Sequence, residues 1–233
     1  MTDMDMIIIL SALVPAIVLL GYIYWQDRKS PEPVRQLLKA TALGVLVVPL
    51  TLSLTTPLES LGIIDFDVTS VWEAITVSFL GAAIPEELSK LLILWLFLRN
   101  NPYFDERMDG IVYAVCVSLG FAGVENVMYV MSDADWISLA LSRAVTAVPG
   151  HFCFAVIMGY FYSLAKYEPA HRTRYIVMTI VAPILAHGVY DVLAFSISLS
   201  PVLDGFLNLL LALLCFVLWK WASRSIQKHL ERG

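Results

Sequence analysis

Seven stretches of mostly apolar residues, each about 20 residues or longer, run through this chain of 233 residues. An α-helix needs about 20 apolar residues to cross the hydrocarbon core of a bilayer, and inside that core only helices and closed barrels satisfy their backbone polar groups. Only 15% of the residues are charged, against about 25% in soluble domains. The sequence therefore predicts an all-α, polytopic membrane helix bundle that forms one integral membrane domain over residues 1–233. The predicted spans are 5–25, 36–56, 71–98, 109–131, 136–163, 174–198 and 202–222.

Basic residues alternate along the chain in a way that predicts the orientation of the bundle. Most of them lie in 26–39, 99–108, 164–175 and the tail that ends with Arg232, and two, Lys90 and Arg143, lie within spans. The opposite connections carry acidic residues but no Lys or Arg. Because cytoplasmic connections are enriched in Lys and Arg, we expect a multi-pass protein of the cell membrane with its N-terminus outside and its C-terminus in the cytoplasm.

Spans three to six carry ionisable or amide side chains in their interiors, whereas the first, second and seventh carry nothing comparable. A charge at the bilayer centre costs about 2.5–3.5 kcal/mol on insertion scales, so such residues need a partner, a wet cavity or a function. At a rise of about 1.5 Å per residue, five of them lie roughly 18–24 Å from the cytoplasmic ends of their spans. The polar residues are Glu86, Glu87, Lys90, Glu125, Asn126, Arg143, His151, His187 and Asp191.

Proline accompanies three of these polar positions. Pro85 directly precedes Glu86, Pro149 precedes the histidine of the fifth span by two residues, and Pro183 lies four residues before His187. Proline removes a helical hydrogen bond and displaces the preceding turn, which in a bundle opens room for water. The sequence therefore predicts a hydrated cavity near the middle of the membrane.

Two kinds of hydrolytic chemistry fit these residue types. A carboxylate can activate water directly, or His, Glu and Asp can hold a metal that lowers the pKa of bound water. The HExxH pattern is absent, so a metal site would be assembled across helices, with Glu125, His151 and His187 as the expected ligands and Glu86 or Glu87 as the general base. No CxxC pair is present, and the three cysteines lie in apolar runs, which indicates buried thiols without a role in this chemistry.

Short motifs in a fixed order now suggest a family. They are Glu86-Glu87-Leu88-Ser89-Lys90 (EExxK), Phe121 to Asn126 (FxxxEN), His187 to Asp191 (HxxxD), an Arg143…His151 pair and a D…PEP stretch over Asp27–Pro33. Together they resemble the PrsW family of intramembrane proteases, which is related to the type II CAAX prenyl endopeptidases and their bacterial relatives. The resemblance covers the chain from about Asp27 to Asp191.

This resemblance implies a peptidase that cleaves membrane-anchored proteins, including regulators such as anti-sigma factors. It implies that Glu86 and Glu87 are the catalytic pair, that Glu125, His151 and His187 are their partners or metal ligands, and that Asp191 orients a ligand. The expected cofactor is a divalent metal, with zinc as the expected ion, and the expected partners are a protein substrate and the lipid bilayer, with no nucleic acid.

The remaining polar residues of the spans have simpler interpretations. We expect Lys90 and Arg143 to be structural counter-charges, and Asn126 to bond across helices, as polar residues in spans commonly do. The Asp27–Pro33 stretch is most simply a rigid turn at the membrane interface.

Two other function classes stay open at this level. Buried Glu, His and Asp chains also form the proton relays of transporters and channels, but no inverted repeat is evident, and a relay should extend towards both surfaces. A subunit that uses its polar core only for packing would not explain two adjacent glutamates. A glutamate-activated water without metal is also compatible with the sequence.

Overall fold

The structure is a computed structural model that describes residues 2–197, 199 and 202–231, and within these residues it contains helices and no β-strand. The prediction of an all-α helix bundle is confirmed. The α-helices are α1 (Asp3–Gln26), α2 (Val34–Gly44), α3 (Val47–Ser60), α4 (Val71–Thr76), α5 (Ile84–Leu98), α6 (Arg107–Ser132), α7 (Trp136–Val145), α8 (Ala147–Tyr167), α9 (Arg172–Ile197) and α10 (Asp204–Leu230). A π-helical segment, Val77–Ala83, joins α4 to α5, and a short 3₁₀ turn, Pro169–His171, leads into α9.

These elements combine into seven helical units that follow the predicted spans. Among the described residues, six units are long and apolar enough to cross a membrane: α1, α2–α3, α6, α7–α8, the 3₁₀ turn with α9, and α10. The remaining unit, α4 to α5, is interrupted by its π-helical segment and carries Glu73, Glu86, Glu87 and Lys90. The orientation stays a prediction, and Ser198 and Arg232, which the span and tail predictions included, lie outside the described residues.

Prolines explain why two predicted spans are each divided into two helices. A proline ring clashes with the carbonyl four residues before it and offers that carbonyl no N–H. Pro49 offers no N–H to the carbonyl of Val45, and the α-helix is interrupted at Val45–Leu46, between α2 and α3. Pro149 does the same to Val145, and α7 ends there, with Thr146 leaving the helical conformation (φ −120°, ψ −71°).

The π-helical segment ends at Ala83, two residues before Pro85. Here the chain turns with a wider hydrogen-bond pattern, and the N–H of Ile84 donates to the carbonyl of Phe79, five residues earlier. Such π segments are frequent at functional sites, and this one leads into the first turn of α5, which carries Glu86 and Glu87. Pro183, by contrast, lies inside an unbroken α9, so this proline does not interrupt its helix.

The centre of the bundle is α6, which packs against α1, α2 and α8, and α8 in turn packs against α9 and α10. Two glycines allow α2 and α6 to touch along their backbones: a Cβ on Gly44 would collide with the carbonyl of Val117, and one on Gly120 with that of Thr41. Small residues commonly permit this close approach in membranes. Glu125 and His151, on α6 and α8, therefore lie between packed helices.

Candidate active site

The structure brings all nine predicted site residues into one region. Glu86, Glu87 and Lys90 lie in the first two turns of α5, Glu125 and Asn126 on α6, Arg143 on α7, His151 on α8, and His187 and Asp191 on α9. The side chains of Glu86, Glu87, Lys90, Asn126, His151 and His187 are buried, whereas those of Glu125, Arg143 and Asp191 are partly buried. Four helical units of the bundle thus contribute to a single polar cluster, which we call the intramembrane cluster.

Lys90 occupies the centre of this cluster. Its Nζ donates to Glu86 Oε2 at 3.1 Å and to Glu87 Oε1 at 2.7 Å, and it lies 3.1 Å from His151 Nδ1. The ammonium also lies 4.5 Å from the centre of the Phe121 ring, a favourable cation–π arrangement. Both buried carboxylates therefore share one cation that the same helix supplies.

His187 connects α9 to the glutamates of α5. Its Nδ1 lies 2.9 Å from Glu87 Oε1, and its Nε2 lies 3.2 Å from Asp191 Oδ2 and 4.0 Å from Glu86 Oε2. The ring stacks on Phe154, with centroids 4.6 Å apart. These contacts fix the ring plane, and Asp191, one helical turn away, holds one of its nitrogens.

Glu125 lies behind His151, on the side away from Lys90. Its Oε2 lies 3.1 Å from His151 Nε2 and accepts from Arg143 Nη2 at 2.6 Å. Arg143 Nε donates to Asn126 Oδ1 at 2.7 Å, and Asn126 Nδ2 donates across to the carbonyl of Ala12 on α1 at 2.7 Å. This chain of contacts ties His151 to three other helices and leaves its Nδ1 facing the cluster.

A cavity of about 750 Å³ borders the cluster. Glu86, Glu125, His151, His187 and Asp191 line it, whereas Glu87 and Lys90 do not. A water occupies about 30 Å³ of the liquid, so the space is large enough for several waters. Glu86 is therefore the member of the adjacent pair that faces the cavity.

The donor set of the cluster fits a metal ion. Glu86, Glu87, His151 and His187 each offer one ligand atom, and these four atoms lie within 4.8 Å of one another. Catalytic zinc takes three protein ligands from these residue types and keeps one position open. Glu87 Oε2 is buried and has no hydrogen-bond partner among the described residues. A bound ion would compete with the ammonium of Lys90 for the same carboxylate oxygens.

The predicted ligand set included Glu125, and its surroundings suggest a different role. Glu125 Oε2 already contacts both His151 and Arg143. Glu125 is not among the four residues whose ligand atoms lie within 4.8 Å of one another. A carboxylate on the outer nitrogen of a ligating histidine orients the ring and raises its basicity. The position suits Glu125 to that task, and Asp191 has the same position relative to His187.

Sequence reasoning missed two features of the site. One is the π-helical segment, for which Pro85, directly before two buried carboxylates, was the available signal. The other is Phe154, which stacks on His187 and also contacts His151. The spacing of three residues between His151 and Phe154 places both on one face of α8, so the aromatic could have been added to the site from the sequence.

Comparison with known proteins gives a consistent result. A family model described as PrsW family intramembrane metalloprotease matches residues 32–221. The chain is 31% identical to Protease PrsW of Clostridioides difficile (strain 630) over 99% of this chain and 94% of that protein. It is 33% identical to Protease PrsW of Bacillus subtilis (strain 168) over 95% and 94%, and 34% identical to that of Geobacillus kaustophilus (strain HTA426) over 79% and 78%. No solved structure matches the chain at a significant level.

Proposed function

The chain belongs to the PrsW family of intramembrane metalloproteases, and from this premise we propose that Glu86 is the general base of a membrane endopeptidase that forms one domain. The observation that carries the proposal is the position of Glu86, which lines a cavity of about 750 Å³ together with two histidines inside a membrane-spanning bundle. A base must lie within hydrogen-bond reach of the proton it removes, and the cavity gives Glu86 access to water and substrate.

The residues proposed to hold a metal are Glu87, His151 and His187, with zinc as the expected ion. Glu87 has a free buried oxygen, and each histidine has one nitrogen held by a carboxylate and the other turned towards the cluster. When bound, such an ion lowers the pKa of a water and polarises a carbonyl oxygen. Glu125 and Asp191 act as orienting partners of the two histidines.

Hydrolysis then requires two proton movements that Glu86 can perform. It accepts a proton from the attacking water while the water oxygen bonds to the carbonyl carbon of the scissile peptide. It then gives this proton to the leaving amide nitrogen as the C–N bond breaks, which releases a carboxylic acid and an amine. Lys90, 3.1 Å from Glu86 Oε2, stabilises the ionised form of the base before each turnover.

The proposed substrates are membrane-anchored proteins, and among them regulators such as anti-sigma factors. The cavity supports this class because it lies between membrane-spanning helices, with Thr51, Thr55 and Phe66 among its lining residues. A peptide segment unwound there needs polar partners for its backbone, and Thr51 Oγ1 is buried without a partner among the described residues. Comparison of membrane proteins from cells with wild type and with Glu86→Gln would identify the substrate as the one that stays uncut.

The decisive experiment measures metal content and cleavage in the same purified samples. Wild type, Glu86→Gln, Glu125→Ala and His187→Ala, in liposomes, receive a panel of single-span reporter proteins. We expect Glu86→Gln to retain the metal and lose cleavage, and His187→Ala to lose both. Glu59→Gln, at an exposed position outside the cluster, is the control and should behave as wild type.

Two results would change the proposal. Cleavage that depends on Glu86 in protein without metal would indicate a carboxylate-activated water alone. Cleavage that persists in folded Glu86→Gln and Glu87→Gln variants would reject the assignment of the pair, and measurement of proton flux would then test the transporter alternative.

A further inference from the structure

A second group of carboxylates lies at the ends of helices, away from the cavity. We call it the interfacial cluster: Asp27, Glu32, Asp105 and Asp109. Asp27 ends α1, Glu32 precedes α2, and Asp105 and Asp109 belong to the connection before α6 and its first turn. Glu32, Asp105 and Asp109 each place one oxygen within 4.8 Å of the others. Asp27 Oδ2 accepts from the N–H of Glu32 at 3.2 Å.

Three of these carboxylates are almost inaccessible to water and have no cationic partner. Asp27, Glu32 and Asp109 are 2%, 6% and 1% exposed, and no salt bridge among the described residues includes any member of the cluster. The nearest cations form no ion pair with the cluster. Arg107 pairs with Glu168 at 2.8 Å, and Lys166, whose ammonium donates to the carbonyl of Phe104, attracts Asp105 and Asp109 only over a longer distance.

One buried oxygen of the cluster has no partner at all among the described residues. Asp109 Oδ2 accepts from the N–H groups of Asp105 at 2.9 Å and Glu106 at 2.5 Å, which caps α6, but Asp109 Oδ1 has no hydrogen bond. One oxygen of its carboxyl group lies within 4.8 Å of an oxygen of Glu32. Two buried carboxylates this close cannot both be ionised without a cation between them, and without a cation they share a proton.

We propose that the interfacial cluster is a binding site for a hard divalent cation of the Ca²⁺ or Mg²⁺ class, held by Glu32, Asp105 and Asp109. All the ligand atoms are carboxylate oxygens, with no histidine or cysteine among them, and this is the ligand type that these ions select. Asp105 is exposed and gives the ion access from water. The bound ion joins the α1–α2 connection to the beginning of α6, the helix that carries Glu125.

The test uses Mn²⁺ as the probe, with the purified protein in detergent and its active-site metal in place. Free Mn²⁺ gives an EPR signal that broadens on binding, so a titration reports stoichiometry and affinity. We expect one bound Mn²⁺, displaced by Ca²⁺ or Mg²⁺, with affinity at least about tenfold lower in Glu32→Gln and Asp109→Asn. Glu59→Gln and Asp3→Asn each remove one carboxylate charge at an exposed position and should bind Mn²⁺ with the affinity of wild type.

A variant of the active site separates the two metal centres. Mn²⁺ binding should persist in His187→Ala, since His187 belongs to the intramembrane cluster; its loss there would overturn the proposal. If Glu32→Gln or Asp109→Asn fails to fold, Mn²⁺ binding and the thermal midpoint of the wild-type protein test the proposal. A thermal midpoint that rises with added Ca²⁺ or Mg²⁺ supports the site, because ligands stabilise the state that they bind. A midpoint independent of these ions, with no Mn²⁺ bound, overturns it and leaves a shared proton as the counter-charge.

Discussion

The two carboxylate clusters of this protein differ in where their positive charge comes from. In the intramembrane cluster, Lys90 serves Glu86 and Glu87, and Arg143 serves Glu125, at distances of 2.6 to 3.1 Å. In the interfacial cluster no member forms an ion pair within the described part of the chain, although Asp27, Glu32 and Asp109 are buried as deeply. Both clusters bring together residues from separate helices. They differ in whether the chain supplies a cation for the buried carboxylates.

The difference shows how each cluster can serve a protease. A buried carboxylate that already has a cation keeps its place and its charge without a ligand, which suits a base that must be ready for substrate. A buried carboxylate without one binds either a cation from outside or a proton, so its charge depends on what the solution contains. The intramembrane cluster is therefore suited to chemistry, and the interfacial cluster to holding helices together when an ion is bound.

The largest expected effect is on catalysis, from Glu86→Gln. General bases contribute about 10²- to 10⁴-fold to rate, so cleavage of a reporter should fall by about that factor. The amide is close in size to the carboxylate, and its oxygen can still accept from Lys90, so the thermal midpoint should change little. Single-turnover cleavage and a melting curve on the same sample give both quantities. A loss of folding instead of catalysis would contradict the separation of roles.

Removal of Lys90 tests whether its ammonium stabilises the buried carboxylates of Glu86 and Glu87. Lys90→Met keeps much of the apolar volume but leaves Glu86 and Glu87 buried without their cation, and removal of one partner of a buried pair costs about 3–5 kcal/mol. Lys166→Met is the matched control, because Lys166 is exposed and donates to a backbone carbonyl; it should cost less than about 1 kcal/mol. Equilibrium unfolding in mixed micelles measures both. Equal free energies of unfolding for Lys90→Met and Lys166→Met would mean that Lys90 does not stabilise the carboxylates of Glu86 and Glu87.

The orienting role of Glu125 predicts a smaller effect, on metal affinity. Loss of a partner on the outer nitrogen of a ligating histidine lowers affinity or activity by about 10- to 100-fold. Glu125→Gln should therefore weaken zinc binding by about this factor while the protein stays folded, and competition with a chromophoric chelator measures it. Glu59→Gln is the charge-matched control. If Glu125→Gln abolished zinc binding as completely as His187→Ala, Glu125 would be a ligand, as the sequence first suggested.

Much of the intramembrane cluster was predictable, because its residues stand out as charges in apolar spans. Among the described residues all seven predicted spans appear as helical units, and six of them are long and apolar enough to cross a membrane. Glu86, His151 and His187, which the depth estimate grouped, have ligand atoms within 4.8 Å of one another. The sequence does not tell a metal ligand from a residue that orients a ligand. The proposed assignment separates Glu125 from Glu87 by their contacts, with Arg143 in one case and with Lys90 in the other.

The interfacial cluster was not recognised for a related reason. Glu32 belonged to a stretch that was interpreted as a rigid turn, and Asp109 marked only the beginning of a predicted span. Acidic residues at span ends are common, so neither position attracts notice in the sequence. Their proximity depends on how α6 packs against α1 and α2, where the glycine contact between Gly44 and Gly120 sets the distance. Such tertiary packing has no signal in local composition.

The smallest expected effect distinguishes the members of the interfacial cluster from each other. Asp105 is exposed and stays hydrated without an ion, whereas Asp109 is buried with a free oxygen. An exposed charge contributes about 0–1 kcal/mol, so Asp105→Asn should lower Mn²⁺ affinity by no more than about fivefold, less than Asp109→Asn does. EPR titration of both variants at one ionic strength measures the ratio. The reverse order would mean that the ion binds at the surface through Asp105, and that the buried carboxylates are neutralised by a proton.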